Sequence, residues 1–223
     1  MNVTNKNIVL IAFSDNYGHI TEIVDNMSRQ LRSSGLMIDI LNLERTKQKL
    51  WPVLNGYNGV IVISGQNKYW TFWNKKAKTF ASFYVGPLEN QLLTGFFRSD
   101  PWAWKNIEDP VESNKKFGND ILKACGFIPN YHEDLGPVLD FSYNSKLKHD
   151  DKKALKDQAR VITKKTGLEF EYKGVNDFRD WHRIEEICTI FAKKLLHGNK
   201  CPTCGTIVPN GAKFCVSCGE KIQ

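Results

Sequence analysis

The length, composition and charge of the chain exclude several classes of protein. Its 223 residues, 41% of them hydrophobic, can bury one core of ordinary size, with a remainder too short to fold unaided. The net charge of +7 comes mainly from residues 143–166, which hold eight Lys or Arg against three Asp, so general nucleic-acid binding is not indicated. No apolar run reaches the roughly 20 residues of a membrane-spanning helix. The start carries no basic leader, so we expect a cytoplasmic protein with reduced cysteines.

The first part of the chain alternates between apolar runs and amphipathic stretches. Strands are predicted at 7–13, 36–43, 59–64 and 91–97, with a fifth extended segment within 127–141. Helices are predicted at 19–34, 71–84 and 111–124. Strand, helix and strand at this spacing are typical of βαβ units, which build a parallel sheet with helices on both faces. Five such strands suit the flavodoxin-like order 2-1-3-4-5.

Two further helices follow. Residues 146–166 carry Leu155, Ala159 and Ile162 on one face and many lysines elsewhere, which predicts a basic surface helix. Residues 178–196 carry an apolar stripe that is wide enough to pack against the sheet. We therefore predict a flavodoxin-like domain over 1–196, which includes the basic helix, and a small separate unit over 200–223.

The last two dozen residues contain a cysteine motif. Cys201 and Cys204 form one Cys-x₂-Cys pair, and Cys215 and Cys218 form a second pair ten residues further on. Two such pairs provide the four thiolates of a tetrahedral zinc site, whereas disulfides or free thiols suit a cytosolic protein less well. Four cysteines leave no open position for water, so the predicted zinc is structural. The short linker after the last helix predicts that this ribbon lies at the sheet edge opposite the strand carboxyl ends, where it docks a partner protein.

Ligands of open parallel sheets bind at the carboxyl ends of the strands. Around those ends, the stretches FSDNYGHITEI, YNGVIVISGQNKYW and LLTGFF, followed by RDWHRIEEICTIFA, resemble flavodoxin-like proteins. The resemblance covers roughly residues 7–196 and is strongest to the menaquinone-dependent protoporphyrinogen oxidases. It implies an FMN cofactor whose phosphate lies on the first loop and the amino end of the first helix, where N–H groups and the helix dipole attract anions.

The resemblance also implies the residues that contact the cofactor. The phosphate loop would provide Ser14, Asn16, Tyr17, Gly18, His19 and Thr21. The flavin ring would lie between Gln66, Asn67, Lys68, Tyr69 and Trp70 on one side and Thr94, Gly95, Phe96 and Phe97 on the other. Tyr69, Trp70, Trp102 or Trp104 could stack on the ring. A cation such as Lys68 or Arg98 near its pyrimidine edge would favour an anionic reduced flavin.

The loop departs from the usual flavodoxin pattern. Flavodoxins usually place hydroxyls three residues before, one before and two after the loop glycine, and here those positions hold Asp15, Tyr17 and Ile20. Ile20 offers no hydrogen bond, and an ionised Asp15 would repel phosphate, although a cationic His19 could compensate.

Two functions therefore remain open. One is an FMN-dependent oxidoreductase or electron-transfer flavoprotein that acts between a planar organic substrate or redox protein and a quinone. The other is a flavin-free scaffold whose zinc ribbon docks a protein or nucleic-acid partner. The basic helix 146–166 has two interpretations as well. It either lies on an anionic membrane surface, which would make the protein peripheral at the membrane, or is a solvated face.

Overall fold

A five-stranded parallel sheet forms the centre of the computed structural model, in the order β2-β1-β3-β4-β5. The structure describes residues 7–65, 73–99, 101–102, 105–198, 201–206, 208 and 214–221, without the side chains of 105 and 106. The sheet strands are β1 (Ile8–Ser14), β2 (Met37–Asn42), β3 (Gly59–Ser64), β4 (Leu93–Arg98) and β5 (Tyr131–Asp134). The predicted flavodoxin-like topology is confirmed by this order.

Helices cover both faces of the sheet, as predicted. The helices are α1 (His19–Ser33), α2 (Lys75–Phe80), α3 (Lys105–Glu108), α4 (Pro110–Cys125), α5 (His149–Thr166) and α6 (Trp181–His197). Buried residues of α1 and α6 form one core with the sheet, and those of α2 and α4 form a second core on the other face. Strand β3 is buried along its whole length, which explains its continuous Val and Ile run.

The predicted helix at 71–84 is shorter and less regular than expected. Among the described residues, α2 begins at Lys75 after Asn74, whose side chain accepts a hydrogen bond from the Lys76 amide. It ends at Phe80 and continues as a π-helical turn, Ala81–Val85, and a 3₁₀ turn, Gly86–Leu88. Two more 3₁₀ turns, Gln48–Leu50 and Leu54–Gly56, lie between β2 and β3.

The extended segment predicted within 127–141 divides into two strands with different partners. Strand β5 completes the sheet, whereas β6 (Val138–Asp140) leaves it and pairs antiparallel with β7 (Val175–Asp177). The chain turns between them at Gly136, which has φ of 88°. A Cβ at this glycine would lie 2.2 Å from the carbonyl oxygen of Phe178, so a larger residue would force the two segments apart.

Residues 138–178, which we call the cover, form a third layer over one end of the sheet. Its core consists of Leu139, Phe141, Leu147, Leu155, Ala159, Ile162 and Phe170. Tyr17 from the loop after β1 and Trp102 from the loop after β4 pack against this core. The cover therefore lies on the loops at the carboxyl ends of the strands. None of the helices in the described part of the chain has the length and apolarity required to cross a bilayer.

Candidate functional site

The register of the sheet aligns one polar residue at the carboxyl end of each of four strands. Ser14 pairs with Ser64, Ser64 with Arg98, and Arg98 with Asp134. The crevice beside β1 and β3 is the switch point, since the strand order reverses there. This edge of the sheet is therefore the candidate ligand site.

The loop after β1 is organised around the carboxylate of Asp15. One carboxylate oxygen accepts hydrogen bonds from the amides of Tyr17, at 3.1 Å, and Gly18, at 2.6 Å. The other accepts from the amide of Thr21, at 2.9 Å, and from its hydroxyl, at 2.7 Å. Gly18 adopts a left-handed conformation with φ of 96°, and α1 begins at the next residue. Asp15 thus satisfies amides at the amino end of α1 that otherwise lack a partner within the helix.

Asp15 occupies the donors that the resemblance assigns to a cofactor phosphate. An added phosphate would compete with a carboxylate that already holds three amides and a hydroxyl, and like charges repel strongly at short range. Ser14, another predicted phosphate ligand, donates its hydroxyl to a carboxylate oxygen of Glu44 at 2.6 Å. Glu44 is in turn paired with Lys76 at 3.2 Å. The phosphate of FMN does not fit this loop as it is folded.

Two of the remaining loop residues, His19 and Ile20, do not replace these donors. A cationic His19 could compensate beside an anion, but burial and, to a smaller extent, the charge of Arg179 lower its pKa, which favours the neutral imidazole. Ile20 is buried in the core beneath α1. Asn16 is exposed at the surface of the loop.

The residues that the structure describes at the switch point enclose little free space. A cavity of about 10 Å³ lies at the switch point, which is room for about one water molecule. Its lining includes Asp15, Tyr17 and His19 from the first loop, Ser99 after β4, and Val138 from the cover. Pockets for ligands of cofactor size usually enclose at least about 300 Å³.

The residues predicted to hold the flavin ring divide into two groups. Gln66, Asn67, Lys68, Tyr69, Trp70 and Trp104 lie outside the described residues. Thr94, Gly95, Phe96 and Phe97 lie inside β4 and are buried, so they form the sheet and its cores. Thr94 exchanges hydrogen bonds with Asn130 at 3.0 and 3.1 Å, near the amino end of the strand. The prediction of ligand contacts for these four residues receives no support, because all four are buried within β4, which continues to Arg98.

Arg98 is also held by the protein. Its Nε donates to a carboxylate oxygen of Asp134 at 3.1 Å, and the hydroxyl of Ser113 donates to the same oxygen at 2.7 Å. The guanidinium lies 4.8 Å from the ring centre of Phe117, and only 5% of Arg98 is exposed. It is therefore a buried, neutralised cation rather than one that faces a flavin edge. Sequence reasoning missed the pair because its members are 36 residues apart and meet only through the strand register.

Arg179 joins the cover to the start of α1. It donates to Asp177 at 2.8 Å, to the carbonyl oxygen of His19 at 2.9 Å, and to Glu22 at 2.6 Å. Burial acts to raise the pKa of Asp177, but its hydrogen bonds with Arg179 outweigh that effect and hold the pKa below its ordinary value. The cover is thus fixed to the same loop that carries Asp15.

The four ribbon cysteines converge in the way a metal requires. Their sulfur atoms all lie within 4.8 Å of one another, and two of the pairs, Cys201 with Cys218 and Cys204 with Cys215, are 3.5 Å apart. A tetrahedral site with Zn–S bonds of about 2.3 Å has sulfur atoms about 3.8 Å apart, so this cluster fits zinc. In each knuckle the amide of a glycine, Gly205 or Gly219, donates to the carbonyl of the first cysteine at 2.9 Å. Both glycines have positive φ, as the predicted tight turns require.

The ribbon lies at the other end of the sheet from the Asp15 loop, as predicted. Cys204, Gly205, Thr206 and Ser217 line one wall of a cleft of about 220 Å³. The other wall consists of Leu54, Asn55, Tyr57, Asn58, Leu88, Gln91 and Leu92, which precede β3 and β4. The metal cluster is therefore separated from the candidate ligand site by the length of the sheet.

The chain is similar to known proteins in the sequence of its ribbon and in its fold. Residues 200–222 match the family model of a zinc-ribbon domain. No curated protein sequence matches the chain. Flavodoxin 1 from Bacillus cereus is 12% identical, with 70% of this chain and 97% of that chain covered and a TM-score of 0.39.

Two other known structures are similar to this chain. The flavodoxin-like domain of a Synechococcus sp. protein is 14% identical, with 84% of this chain and 98% of that chain covered and a TM-score of 0.42. Rubredoxin:oxygen oxidoreductase from Desulfovibrio gigas is 16% identical over 71% of this chain, with a TM-score of 0.41, and this chain spans 36% of its length. The strand order and the family match together define a flavodoxin-like fold followed by a zinc-ribbon domain.

Proposed function

We propose that this chain is a flavin-free binding protein, in which a flavodoxin-like domain of residues 1–196 is the scaffold and a zinc ribbon of residues 200–223 docks a partner protein or nucleic acid. The observation that carries the proposal is the carboxylate of Asp15. It accepts the hydrogen bonds of three loop amides and the Thr21 hydroxyl, which a flavin phosphate would need. Because the carboxylate already satisfies these donors, the loop does not need a phosphate to do so.

The cover supports the same proposal. Its core packs against Tyr17 and Trp102, on both sides of the crevice, and the cavity that the described residues line there is close to the size of one water molecule. A flavin ring placed in this described cavity, beneath Val138, would require the cover to separate from the sheet. That movement would expose apolar side chains and break the contacts of Arg179 with Glu22 and the His19 carbonyl.

The zinc has a structural role in this proposal. The described apolar core of the ribbon consists of Cys201, Val208 and Cys215 alone, which is too small to hold a fold without a metal. Its position near the amino ends of β3 and β4 keeps it away from the crevice. The ribbon surface is therefore free to contact a partner whatever the crevice holds.

The second candidate is the FMN-dependent oxidoreductase or electron-transfer flavoprotein. The observation that favours it is the topology, because the loop after β1 meets a helix of 15 residues at the switch point, where flavodoxin-like folds bind FMN. A planar substrate such as a tetrapyrrole precursor and a quinone acceptor would be its reactants. In this chain, Asp15 would first have to leave the loop.

An FMN titration separates the two functions. The purified full-length protein should be colourless and should not quench FMN fluorescence. Replacing Asp15 and Ile20 by Thr removes the competing carboxylate and adds hydroxyls, so the double variant should gain measurable FMN binding. Asp25→Thr, which removes one carboxylate from the exposed face of α1, is the matched control and should bind no FMN. A yellow wild-type protein, or saturable quenching by it, would overturn the proposal.

A further inference from the structure

The outer face of α5 carries a line of exposed cations. Lys153, Arg160 and Lys164 are all exposed and are spaced by seven and four residues. This spacing places them within about 40° on one side of a helix, over a length of about 16 Å. The segment that contains them holds most of the excess positive charge of the chain.

The opposite face of α5 is not available for binding. Leu155 is 1% exposed, and Ala159 and Ile162 are fully buried in the core of the cover. A helix that lies in a membrane interface inserts its apolar face into the lipid, and α5 has already used that face. The helix is therefore a fixed support for the cations, and any ligand has to be bound by the charged face.

An exposed aromatic residue lies beside one end of this line. Tyr143 is 100% exposed, in the turn that precedes α5. The turn is held against the helix because Lys152 donates to the carbonyl oxygen of Ser142 at 2.7 Å. Lys148, which is exposed, directly precedes the first turn of the helix, whereas the side chain of Lys146 lies beside Gly18 of the loop after β1. The exposed tyrosine therefore lies near the first turns of α5, next to Lys152, which precedes Lys153 at the start of the line.

We infer that this surface, Tyr143 together with Lys153, Arg160 and Lys164, binds single-stranded nucleic acid. The cations would contact successive phosphates, and the phenol ring would stack on a base, which is how proteins hold single strands without sequence readout. Asp157 lies beside the line and pairs with Arg160, but both side chains are more than half exposed, so the pair is weak and can exchange for a phosphate. The inference goes beyond the proposed function and does not depend on whether the crevice binds FMN.

An acidic protein fits this surface less well than a nucleic acid. Protein interfaces are built around buried apolar anchors, and charged side chains are depleted at their centres. Among the described residues of α5, Val161, at 43% exposure, is the large apolar side chain that reaches the surface. A surface of cations and one aromatic ring matches a chain of phosphates and bases.

The test measures binding of a short fluorescein-labelled oligothymidine by fluorescence anisotropy, with the full-length zinc-loaded protein over a series of salt concentrations. The variant carries Lys153→Gln, Arg160→Gln and Lys164→Gln together. Its matched control, Lys115→Gln with Lys116→Gln and Lys123→Gln, removes the same charge from exposed positions of α4. The α5 variant should bind at least about tenfold more weakly and reduce the slope of log Kd against log salt by about 2, since each phosphate contact on a single strand contributes about 0.7.

A second variant tests the aromatic contact. Tyr143→Ala should weaken binding by about fivefold or more without changing the salt slope, since stacking releases no counterions. Far-ultraviolet circular dichroism should show both variants folded, because the substituted side chains are exposed.

Three outcomes would overturn the inference. The first is no binding of the oligonucleotide at low salt. The second is an equal loss in the α4 control, which would mean general charge attraction. The third is binding to phosphatidylserine vesicles that the α5 variant abolishes while oligonucleotide binding is unchanged. None of these outcomes bears on the FMN titration, so the two proposals can fail separately.

Discussion

The loop after β1 and the zinc ribbon have similar backbone turns, but the turn in the loop surrounds an anion and those in the ribbon surround a cation. Each turn has a glycine with positive φ, and each arranges polar groups around one point. In the ribbon, the chain provides four thiolates and the balancing cation has to come from solution. In the loop, the chain provides amide donors and also the anion, the carboxylate of Asp15. One site is therefore left open to a ligand, whereas the other is occupied by the protein itself.

The comparison shows that a binding motif and its occupant are separate properties of a sequence. A helix that begins at a tight turn attracts an anion whatever its source. A single side chain at position 15 is enough to replace the external anion by an internal one. The chemistry of the nearest side chains has to be examined before a cofactor is assigned to such a loop.

The largest expected effect is at the site that depends on an external ion. Removing zinc with a chelator, or replacing Cys201 by Ser, should unfold the ribbon, since its described apolar core is too small to hold it. The sheet domain should keep its melting temperature, because its cores contain no ribbon residue. Nuclear magnetic resonance spectra of the full chain would report both regions. Cys125→Ser is the control, and a ribbon that keeps its spectrum without zinc would contradict the structural role.

The next largest effect concerns Asp134, whose carboxylate lies at the same edge of the sheet as Asp15. Asp134→Ala leaves the guanidinium of Arg98 buried without its partner and should lower the free energy of unfolding by about 3–5 kcal/mol. Asp120→Ala, on the partly exposed side of α4, should change it far less. Urea denaturation measures both, and equal effects would mean that the Arg98–Asp134 pair does not stabilise the sheet edge.

A smaller effect is expected at the occupied loop. Asp15→Ala removes the acceptor of three amides and should lower the free energy of unfolding by about 1–2 kcal/mol. Asp15→Asn keeps one carbonyl oxygen as an acceptor and should cost less. Asp25→Ala, further along α1, is the control in the same urea experiment. If Asp15→Ala is as stable as the wild type, the carboxylate does not organise the loop.

The smallest effect is the pH dependence of the same loop. Burial, assisted by the charge of Arg179, lowers the pKa of His19 below 6.5, so the unfolded chain binds the proton more readily than the folded one. Stability should therefore fall as the pH is lowered through 6.5 and stop falling below the pKa of the folded state. His19→Gln should reduce this slope in thermal unfolding measured between neutral and mildly acidic pH. His132, whose pKa is also lowered by burial, should still contribute in that variant, and an unchanged slope would exclude His19 as a source.

The sequence predicted those features that depend on local patterns. The alternation of apolar runs such as β3 with amphipathic stretches indicated the parallel sheet, and the five strands suited its order. The apolar stripe of α6 indicated that this helix packs against the sheet. The ribbon was equally accessible, because all four ligands lie within a short segment and their spacing reflects the coordination geometry. In both cases the physical cause of the structure lies within one or two elements of the chain.

What the sequence did not predict depends on where distant segments meet. The carboxylate of Asp15 was expected to repel a phosphate. Only the loop geometry shows that it also takes the place of a phosphate, by accepting four hydrogen bonds from the loop. The basic helix was expected at the surface, and its charged side lies there. Its apolar face is buried in a core against which Tyr17 and Trp102 pack, because β6 leaves the sheet and pairs with β7. Arg98 was considered as a cation beside the flavin, because the sequence does not reveal the register of β4 and β5 that places it opposite Asp134.

The central claim is that Asp15 occupies the anion position of the loop. The most direct measurement follows the backbone amide resonances of Tyr17, Gly18 and Thr21 in full-length zinc-loaded protein while FMN is added. In the wild type these resonances should not move, whereas in Asp15→Thr with Ile20→Thr all three should shift and saturate together. Saturable shifts of the same three amides in the wild type would contradict the claim, because the loop would then accept an external phosphate with Asp15 present.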